Sequence, residues 1–329
     1  MNNLSNGFSS EAKLKTIIRH LNQYPLRLFY KNFVPKSIRK ELDLKANFNQ
    51  KQHVGLCWEA FLELYFSGVL DNFHLKAKKK IDNQKIIWQY WGQGTTEKLP
   101  NIVNICFSSV EKYKGDYEII RLDDLTIKEY LDFPDFVWEK KKNKEFKHAF
   151  FSDLIRLALL DLYGGVWLDA TILLTAPIKD EILESEYFMF QRDINAIDKD
   201  FWTGFNGDYF GWSNKHNVNV LNSFIVGKKN NEVIHICLDI MLNYWKTQNN
   251  IPHYFFFQIM FDVLIEKFGV GQCIVMDDTL PHLLQVKINE NFNKDDYESI
   301  KSKVDIHKMT YFSDVENDTF YEYIQSLFR

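Results

Sequence analysis

Three charged residues stand in or beside the most apolar part of the chain. Asp153 and Arg156 occupy positions i and i+3 of an apolar stretch, and Asp169 follows it. Residues three apart share one face of a helix, so Asp153 and Arg156 can form an ion pair. Buried charges are costly unless they are paired or bound to a ligand. The pattern therefore predicts either a buried salt bridge with Ser152 and Asp153 capping a helix, or a site that faces a ligand.

The elements that must position these charges are a helix, a glycine turn and a strand. Residues 151–163 are apolar on most sides, which is typical of a helix packed inside a domain. Gly164 and Gly165 are expected to end this helix, because glycine adopts the positive φ of a helix C-terminus or tight turn. Residues 166–168 then suit a central strand. Asp169 would follow at the carboxyl end of that strand, where open α/β sheets bind ligands.

This segment resembles a known signature. Ser-Asp-x-x-Arg at 152–156 and Tyr-Gly-Gly-x-Trp-x-Asp at 163–169 resemble the motifs of glycosyltransferase family 32 type sugar-transferases. The segment is most similar to the bacterial capsular polysaccharide synthesis branch of these enzymes. In that branch the strand often ends Trp-Leu-Asp-Ala-Thr, the sequence found here at 167–171. The glucosylating clostridial toxins share the helix–Gly-Gly–strand unit more distantly. Several co-ordinated positions make the signal specific, and it implies a GT-A fold, a nucleotide-sugar donor and a divalent metal.

The resemblance also implies roles for individual residues. Asp169 would contact the ribose or the metal, Asp153 would bind donor sugar hydroxyls, and Arg156 would reach the sugar or the diphosphate. The usual family motif is Asp-x-Asp, whereas this chain has Asp169-Ala170-Thr171. Hard oxygen ligands suit Mn²⁺ or Mg²⁺. A divalent metal is therefore the expected cofactor, although the second carboxylate is replaced by Thr171.

An aromatic residue near the start of the catalytic region fits a base-binding role. Residues 85–91 predict the first strand, and Trp91 matches the family tryptophan that stacks on the uracil of the donor. An indole that stacks on a base contributes roughly 1–3 kcal/mol. Trp88 is expected in the core, which is also the alternative for Trp91.

Further candidates lie towards the C-terminus. The resemblance places Asn222 near the donor sugar, and it gives His307 a metal-binding role and Lys308 a phosphate-binding role. These last two belong to a stretch, residues 304–311, that is similar to the capsule family's His-Lys-Leu-Thr-Tyr. A purely structural His307 is the alternative. An aromatic helix predicted over 252–268 adds three residues that could face the acceptor: His253, Gln258 and Asp262.

Composition predicts a globular intracellular protein. The chain has 329 residues, of which 46% are hydrophobic and 16% aromatic, enough for a sizeable core. Its four cysteines are widely spaced without a Cys-x-x-Cys pair, which favours a reduced setting. Residues 1–10 are polar and do not resemble a signal peptide. The longest apolar run, 54–70, contains Glu59 and Glu63 and is too charged to span a bilayer.

Charge is distributed unevenly along the chain. Residues 1–85 hold 15 Lys and Arg against 7 Asp and Glu, whereas the remainder holds 25 against 37. The densest cluster of cations comprises Lys76, Lys78, Lys79 and Lys80. Such asymmetry is typical of a surface that meets anionic lipid or another polyanion, and the alternative is a set of solvated helical faces.

These observations predict an α/β protein of GT-A (Rossmann-like) type, with a mixed sheet flanked by helices. Residues 1–83 would form a helical extension, with helices at 11–24, 38–46 and 54–70, that docks on a membrane or on the core. Residues 84–329 would form the catalytic domain, in which 198–213 is a loop that covers the site.

The predicted activity is transfer of a hexose from a UDP-sugar to a lipid-linked capsular or surface polysaccharide, with retention of configuration. The expected location is cytoplasmic, peripheral at the anionic inner face of the membrane, with no nucleic-acid partner. The alternatives are a non-catalytic GT-A module that binds nucleotide-sugars, a sugar-phosphate transferase and a protein-glucosylating toxin.

Overall fold

The N-terminal region is helical and is joined to the main core. The computed structural model describes residues 4–95, 99–310 and 317–328. Its first four helices are α1 (Leu4–Ser9), α2 (Lys13–Leu21), α3 (Leu26–Phe33) and α4 (Lys36–Phe66). The second half of α4 buries Val54, Trp58, Phe61 and Leu62 in the same core as the sheet.

A single helix, α4, replaces the two that the sequence predicted over 38–46 and 54–70. The intervening residues 47–53 are polar except for Phe48, and they contain neither proline nor glycine. Polar residues of this kind are compatible with helix, so nothing interrupts the backbone hydrogen bonds. Among the described residues, no helix is both long enough and apolar enough to cross a membrane.

The strands of the described residues form two sheets. They are β1 (Ile86–Tyr90), β2 (Glu118–Leu122), β3 (Gly165–Leu168), β4 (Ile172–Leu174), β5 (Tyr187–Gln191), β6 (Val220–Gly227) and β7 (Ile306–Lys308). The larger sheet has the order β2-β1-β3-β6-β5, in which β1 runs parallel to β2 and β3, and β6 runs antiparallel to β3 and β5. In the smaller sheet β4 pairs antiparallel with β7.

Further helices flank the two sheets. They are α5 (Asn101–Tyr113), α6 (Asp135–Lys141), α7 (His148–Tyr163), α8 (Asp180–Leu183), α9 (Lys199–Asn206), α10 (Glu232–Thr247), α11 (Phe256–Phe268), α12 (Leu283–Lys287), α13 (Lys294–Lys303) and α14 (Phe320–Leu327). The predicted mixed sheet flanked by helices, with a helical N-terminal region, is confirmed. The prediction of a loop over 198–213 is wrong for its first half, which forms α9.

The central helix of this architecture is α7, as its apolar sequence predicted. Leu154, Ile155, Leu157, Ala158, Leu159 and Leu160 are completely buried, and α7 packs against α10 and the sheet. The helix begins at His148, four residues before Ser152, so neither Ser152 nor Asp153 is its N-cap. The capping alternative is therefore wrong.

The glycine pair brings the end of α7 directly into the sheet. Gly164 and Gly165 have φ values of 72° and 106°, which favour glycine. A Cβ on Gly165 would lie 2.5 Å from the carbonyl oxygen of Ile86 on β1. This close approach fixes β3 beside β1, so Asp169 emerges next to the end of β1.

Candidate active site

A polar cleft lies where β1 and β3 end and β6 begins. We call it the polar cleft; its volume is about 320 Å³. Its lining residues come from seven elements or the loops that follow them: Tyr90, Trp91, Gly92, Gln93, His148, Ala149, Phe150, Ser152, Asp153, Arg156, Asp169, Ala170, Thr171, Asn222, Tyr254, Gln258 and Lys308. Eight residues predicted from the sequence are therefore brought together here: Trp91, Asp153, Arg156, Asp169, Thr171, Asn222, Gln258 and Lys308.

Arg156 is the central cation of the polar cleft. It is 3% exposed, and its NH1 lies 3.0 Å from Oδ1 of Asp153. Its NH2 donates to Oδ1 of Asp169 at 3.1 Å and to Oγ of Ser152 at 3.1 Å. The guanidinium also lies 5.3 Å from the centre of the Trp167 ring. Arg156 thus connects the two carboxylates. The predicted buried ion pair between Asp153 and Arg156 is present, and it is part of a larger network that includes Asp169 and Ser152.

A second row of polar side chains faces Asp153. Nδ2 of Asn222 donates to Oδ1 of Asp153 at 2.8 Å, and Nε2 of Gln258 donates to Oδ1 of Asn222 at 2.9 Å. The backbone oxygen of Asn222 accepts from Arg156 at 2.7 Å. These bonds hold the carboxylate, the two amides and the guanidinium in one fixed arrangement.

Asp169 meets a second cation at the end of β7. Nζ of Lys308 lies 3.8 Å from Oδ2 of Asp169 and donates to Oγ1 of Thr171 at 2.5 Å. On the other carboxylate oxygen, Oδ1 accepts from Nε1 of Trp167 at 2.7 Å. The pairing of β7 with β4, in which Lys308 lies opposite Ile172, brings this distant residue to the strand end.

Burial shifts the pKa of one acid and one base in the polar cleft, Asp153 and Lys308. Desolvation raises the pKa of Asp153 to about 7, and it outweighs the opposing effect of the Arg156 guanidinium. Nearby Asp169 raises this pKa further, whereas the hydrogen bond from Asn222 lowers it. Desolvation lowers the pKa of Lys308, and Asp169 opposes the change. A ligand that brings negative charge would therefore stabilise the charged form of Lys308.

His307 does not line the polar cleft, contrary to the metal-binding role predicted for it. Successive residues of a strand point to opposite faces, so His307 turns away where Lys308 turns inward. The His307 ring is completely buried, and its Nε2 lies 3.1 Å from Oγ1 of Thr175. Desolvation lowers the pKa of His307 to about 3, so the ring is neutral.

The two tryptophans of the first strand have different surroundings. Trp91 lines the polar cleft and is partly buried against the hydrophobic cluster that contains α5 and α14. Trp88 is completely buried and donates from Nε1 to the backbone oxygen of Gly164 at 2.9 Å. The predicted core position of Trp88 is confirmed by its burial.

The candidate acceptor residues separate into different places. Gln258 lines the polar cleft, whereas Asp262 bonds to Asn217 and Asn219 in another cavity. His253 accepts a hydrogen bond at Nδ1 from the backbone of Phe255 at 3.0 Å and does not line the cleft.

Some residues of the cleft were not selected from the sequence. Ser152 lies one helical turn before Arg156, a spacing that would have indicated their contact. Tyr254 is 70% exposed at the cleft. His148 and Gln93 carried no comparable signal.

The residues of the polar cleft do not fit the divalent metal that the resemblance implies. The cleft contains two carboxylates, Asp153 and Asp169, and each lies beside a cation of the protein. Within the described ranges there is no group of three or more His, Cys, Asp and Glu residues that could hold a metal ion. A metal on Asp169 would have to displace the Lys308 ammonium or tolerate its charge.

Comparison with known proteins adds a family match to this geometry. A family model described as "Capsular polysaccharide synthesis protein" matches residues 38–327, which include most of α4 and all residues of the polar cleft. The O-glycosyltransferase braB of Annulohypoxylon truncatum is 26% identical over 192 residues, or 54% of this chain. The match covers 41% of that relative's length. Among solved structures, the PaToxG glycosyltransferase aligns with 88% of this chain and 98% of its own, at 16% identity and a TM-score of 0.33.

Proposed function

The chain belongs to the capsular polysaccharide synthesis protein family, and from this premise we propose that it is a glycosyltransferase. The proposed reaction moves a hexose from a UDP-sugar to a lipid-linked capsular or surface glycan, with retention of configuration. The observation that supports it most is the convergence of Asp153, Arg156, Asp169 and Lys308 on one cleft at the strand ends.

The polar cleft has the chemistry that a nucleotide-sugar requires. The indole of Trp91 offers a surface on which a base can stack. Arg156 and Lys308 supply positive charge for a diphosphate. Sugar hydroxyls would find matching hydrogen-bond acceptors and donors in the same cleft, on Asp153, Asn222 and Gln258. We therefore propose that the base lies at Trp91, the diphosphate near Lys308 and Arg156, and the sugar against Asp153.

Sugar transfer creates negative charge on the departing diphosphate. Preorganised cations stabilise such charge more strongly than water does, because they need no reorganisation during the reaction. Arg156 is held by Asp153, Asp169 and Ser152, and Lys308 is held by Thr171. We propose that these two cations neutralise the leaving group. No nucleophilic residue is assigned, because retention by attack on the same face of the sugar does not require one.

The acceptor is proposed to be lipid-linked because the N-terminal region presents a surface suited to membranes. Most large apolar side chains of residues 24–33, which comprise α3 and the two residues before it, are exposed, from 48% for Leu26 to 82% for Tyr24, whereas Tyr30 is buried. The most exposed of them on the helix itself are Phe29 and Phe33, at 60% and 77%. Basic residues accompany them, as in helices that lie on anionic lipid: Arg27, Lys31, Lys36 and Lys40. We propose a peripheral association with the inner face of the cytoplasmic membrane.

Release of UDP tests the proposed activity. The purified chain would be incubated with a panel of UDP-sugars, with and without Mn²⁺, and with anionic vesicles that carry lipid-linked glycan from a capsulated bacterium. We expect release of free UDP from at least one sugar, and its loss in Asp169→Asn. Binding of UDP without turnover of any donor would favour the alternative of a non-catalytic module. Absence of UDP binding and of turnover would contradict the proposal.

A further inference from the structure

A second cavity is lined by two segments of chain that also line the polar cleft, namely α11 and β6 with the residue before it. We call these two segments the shared wall. The volume of the second cavity is about 1110 Å³. Asn222 on β6 and Gln258 on α11 line the polar cleft. Asn219, just before β6, and Asp262, one helical turn beyond Gln258, line the second cavity. The shared wall therefore contributes one hydrogen-bonded pair to each space, Asn222 with Gln258 and Asn219 with Asp262.

The shared wall presents a buried carboxylate held between two amides. Oδ1 of Asp262 accepts from Nδ2 of Asn219 at 2.6 Å, and Oδ2 accepts from Nδ2 of Asn217 at 3.0 Å. Each asparagine amide has a second N–H donor and a carbonyl acceptor beyond the bond that it makes to Asp262. A fixed row of donors and acceptors such as this one can bind the adjacent hydroxyls of a sugar.

A fixed aromatic side chain, Trp212, also lines this cavity. Nε1 of Trp212 donates to the backbone oxygen of Asp193 at 2.9 Å. The guanidinium of Arg192 lies 5.0 Å from the centre of the Trp212 ring and pairs with Asp278, whose side chain is completely buried. The indole is thus a rigid platform, and aromatic rings supply contact area at low entropic cost.

The charges of the second cavity argue against an anionic ligand. Three cations, Lys215, Lys267 and Arg192, are balanced by three carboxylates, Glu59, Glu266 and Asp262. Lys267 pairs with Glu59 at 3.3 Å. A nucleotide or a phosphate would meet no excess of positive charge here. The volume exceeds the roughly 300–1,000 Å³ of common small-ligand pockets, so the space accommodates more than one sugar ring.

We infer that the second cavity binds a neutral, hydroxyl-rich segment of the acceptor glycan. This inference rests on the proposed function, and it identifies Asp262, Asn219 and Trp212 as acceptor-binding residues. Neighbouring turns of α11 would then contact the two substrates, with Gln258 facing the donor and Asp262 facing the acceptor.

Glycan binding and UDP binding measured on the same variants test the inference. The full chain would be applied to an array of immobilised neutral and anionic oligosaccharides, and its affinity for free UDP would be measured by calorimetry. We expect wild type to bind a neutral oligosaccharide. We expect Asp262→Asn and Asn219→Ala to weaken that binding by about tenfold or more without changing UDP affinity. Asp295→Asn, which changes an exposed carboxylate on α13, is the matched control.

The outcomes separate the two claims. If UDP binds but no neutral glycan does, or if both cavity variants bind glycan like wild type, the inference is wrong and the proposed function stands. If only anionic oligosaccharides bind, the inference is likewise wrong. If neither UDP binding nor turnover of UDP-sugars is detected, the proposed function fails and the acceptor assignment fails with it. Unchanged UDP affinity in the variants shows that a loss of glycan binding is not a loss of folding.

Discussion

Nζ of Lys308 lies 3.8 Å from Oδ2 of Asp169, although 139 positions of sequence separate them. This contact places an ammonium beside the carboxylate of a motif whose relatives usually carry a second acid. Because Arg156 neutralises the other oxygen of Asp169, the strand end is already balanced by two cations. The electrostatics of the polar cleft therefore differ from those of an Asp-x-Asp metal site.

The first prediction concerns the metal. We expect UDP release by wild type to persist in EDTA, because Lys308 and Arg156 supply the positive charge. Lys308→Ala should reduce the rate by about 100-fold, the usual effect of removing one group that stabilises transition-state charge. Lys308→Arg should retain much more activity, and Lys301→Ala on α13 is the surface control. Complete loss of wild-type activity in EDTA, restored by Mn²⁺, would contradict this prediction.

The second prediction concerns the stability of the charge network. Arg156→Met should lower the free energy of unfolding at pH 8 by about 3–5 kcal/mol, because it leaves Asp153 and Asp169 without their shared partner. Urea unfolding followed by circular dichroism measures this change. Arg19→Met, which breaks the exposed pair with Glu11, should have a much smaller effect. An equally small effect of Arg156→Met would show that the buried network contributes little.

The third prediction concerns pH and Asp153. The pKa of Asp153 is raised from 3.8 to about 7 in the folded protein. At a pH between these two values, the Asp153 carboxyl group is deprotonated in the unfolded chain but still protonated in the folded protein. The contribution of Asp153 to stability is therefore present below about pH 4 and is lost as pH rises to about 7. Relative to Asp153→Asn, wild type should become less stable over this range and then level off. A difference that is constant with pH, or that changes in the opposite direction, would refute this pKa.

The fourth prediction concerns the membrane. Phe29→Ser combined with Phe33→Ser should weaken co-sedimentation with phosphatidylcholine–phosphatidylglycerol vesicles by about tenfold or more. The reason is that both phenylalanine rings of the wild type move from water into the membrane interface on binding. Binding should also fall at high salt. Leu125→Ser combined with Ile197→Ser removes two other exposed apolar side chains and should have no effect. Equal losses in both double variants would indicate that α3 is not the contact.

Local patterns were sufficient to predict the centre of the fold. The apolar run before Gly164 specified α7, and the position of Asp169 after a strand specified the sheet edge that carries the polar cleft. The i, i+3 spacing of Asp153 and Arg156 specified their ion pair. These features depend on neighbours in sequence, which is why the sequence reveals them.

Local sequence patterns could not predict contacts between segments that are far apart in the chain. Nothing near Lys308 indicates that β7 pairs with β4, and this residue was selected by resemblance alone. The prediction for His307 was wrong because adjacent residues of a strand cannot both face one cleft. The second cavity was missed for a similar reason, since Trp212 and Asn219 come from the loop before β6 whereas Asp262 comes from α11, more than 40 positions later.

A crystal structure of the protein with bound UDP is the decisive experiment for the proposed donor site. We expect the uracil ring on the indole of Trp91 and the diphosphate oxygens within hydrogen-bonding distance of Lys308 and Arg156. We also expect Asp153 and Asn222 to face the position of the missing sugar. UDP bound outside the polar cleft, or bound within it without contact to Trp91, Arg156 and Lys308, would contradict the proposed site.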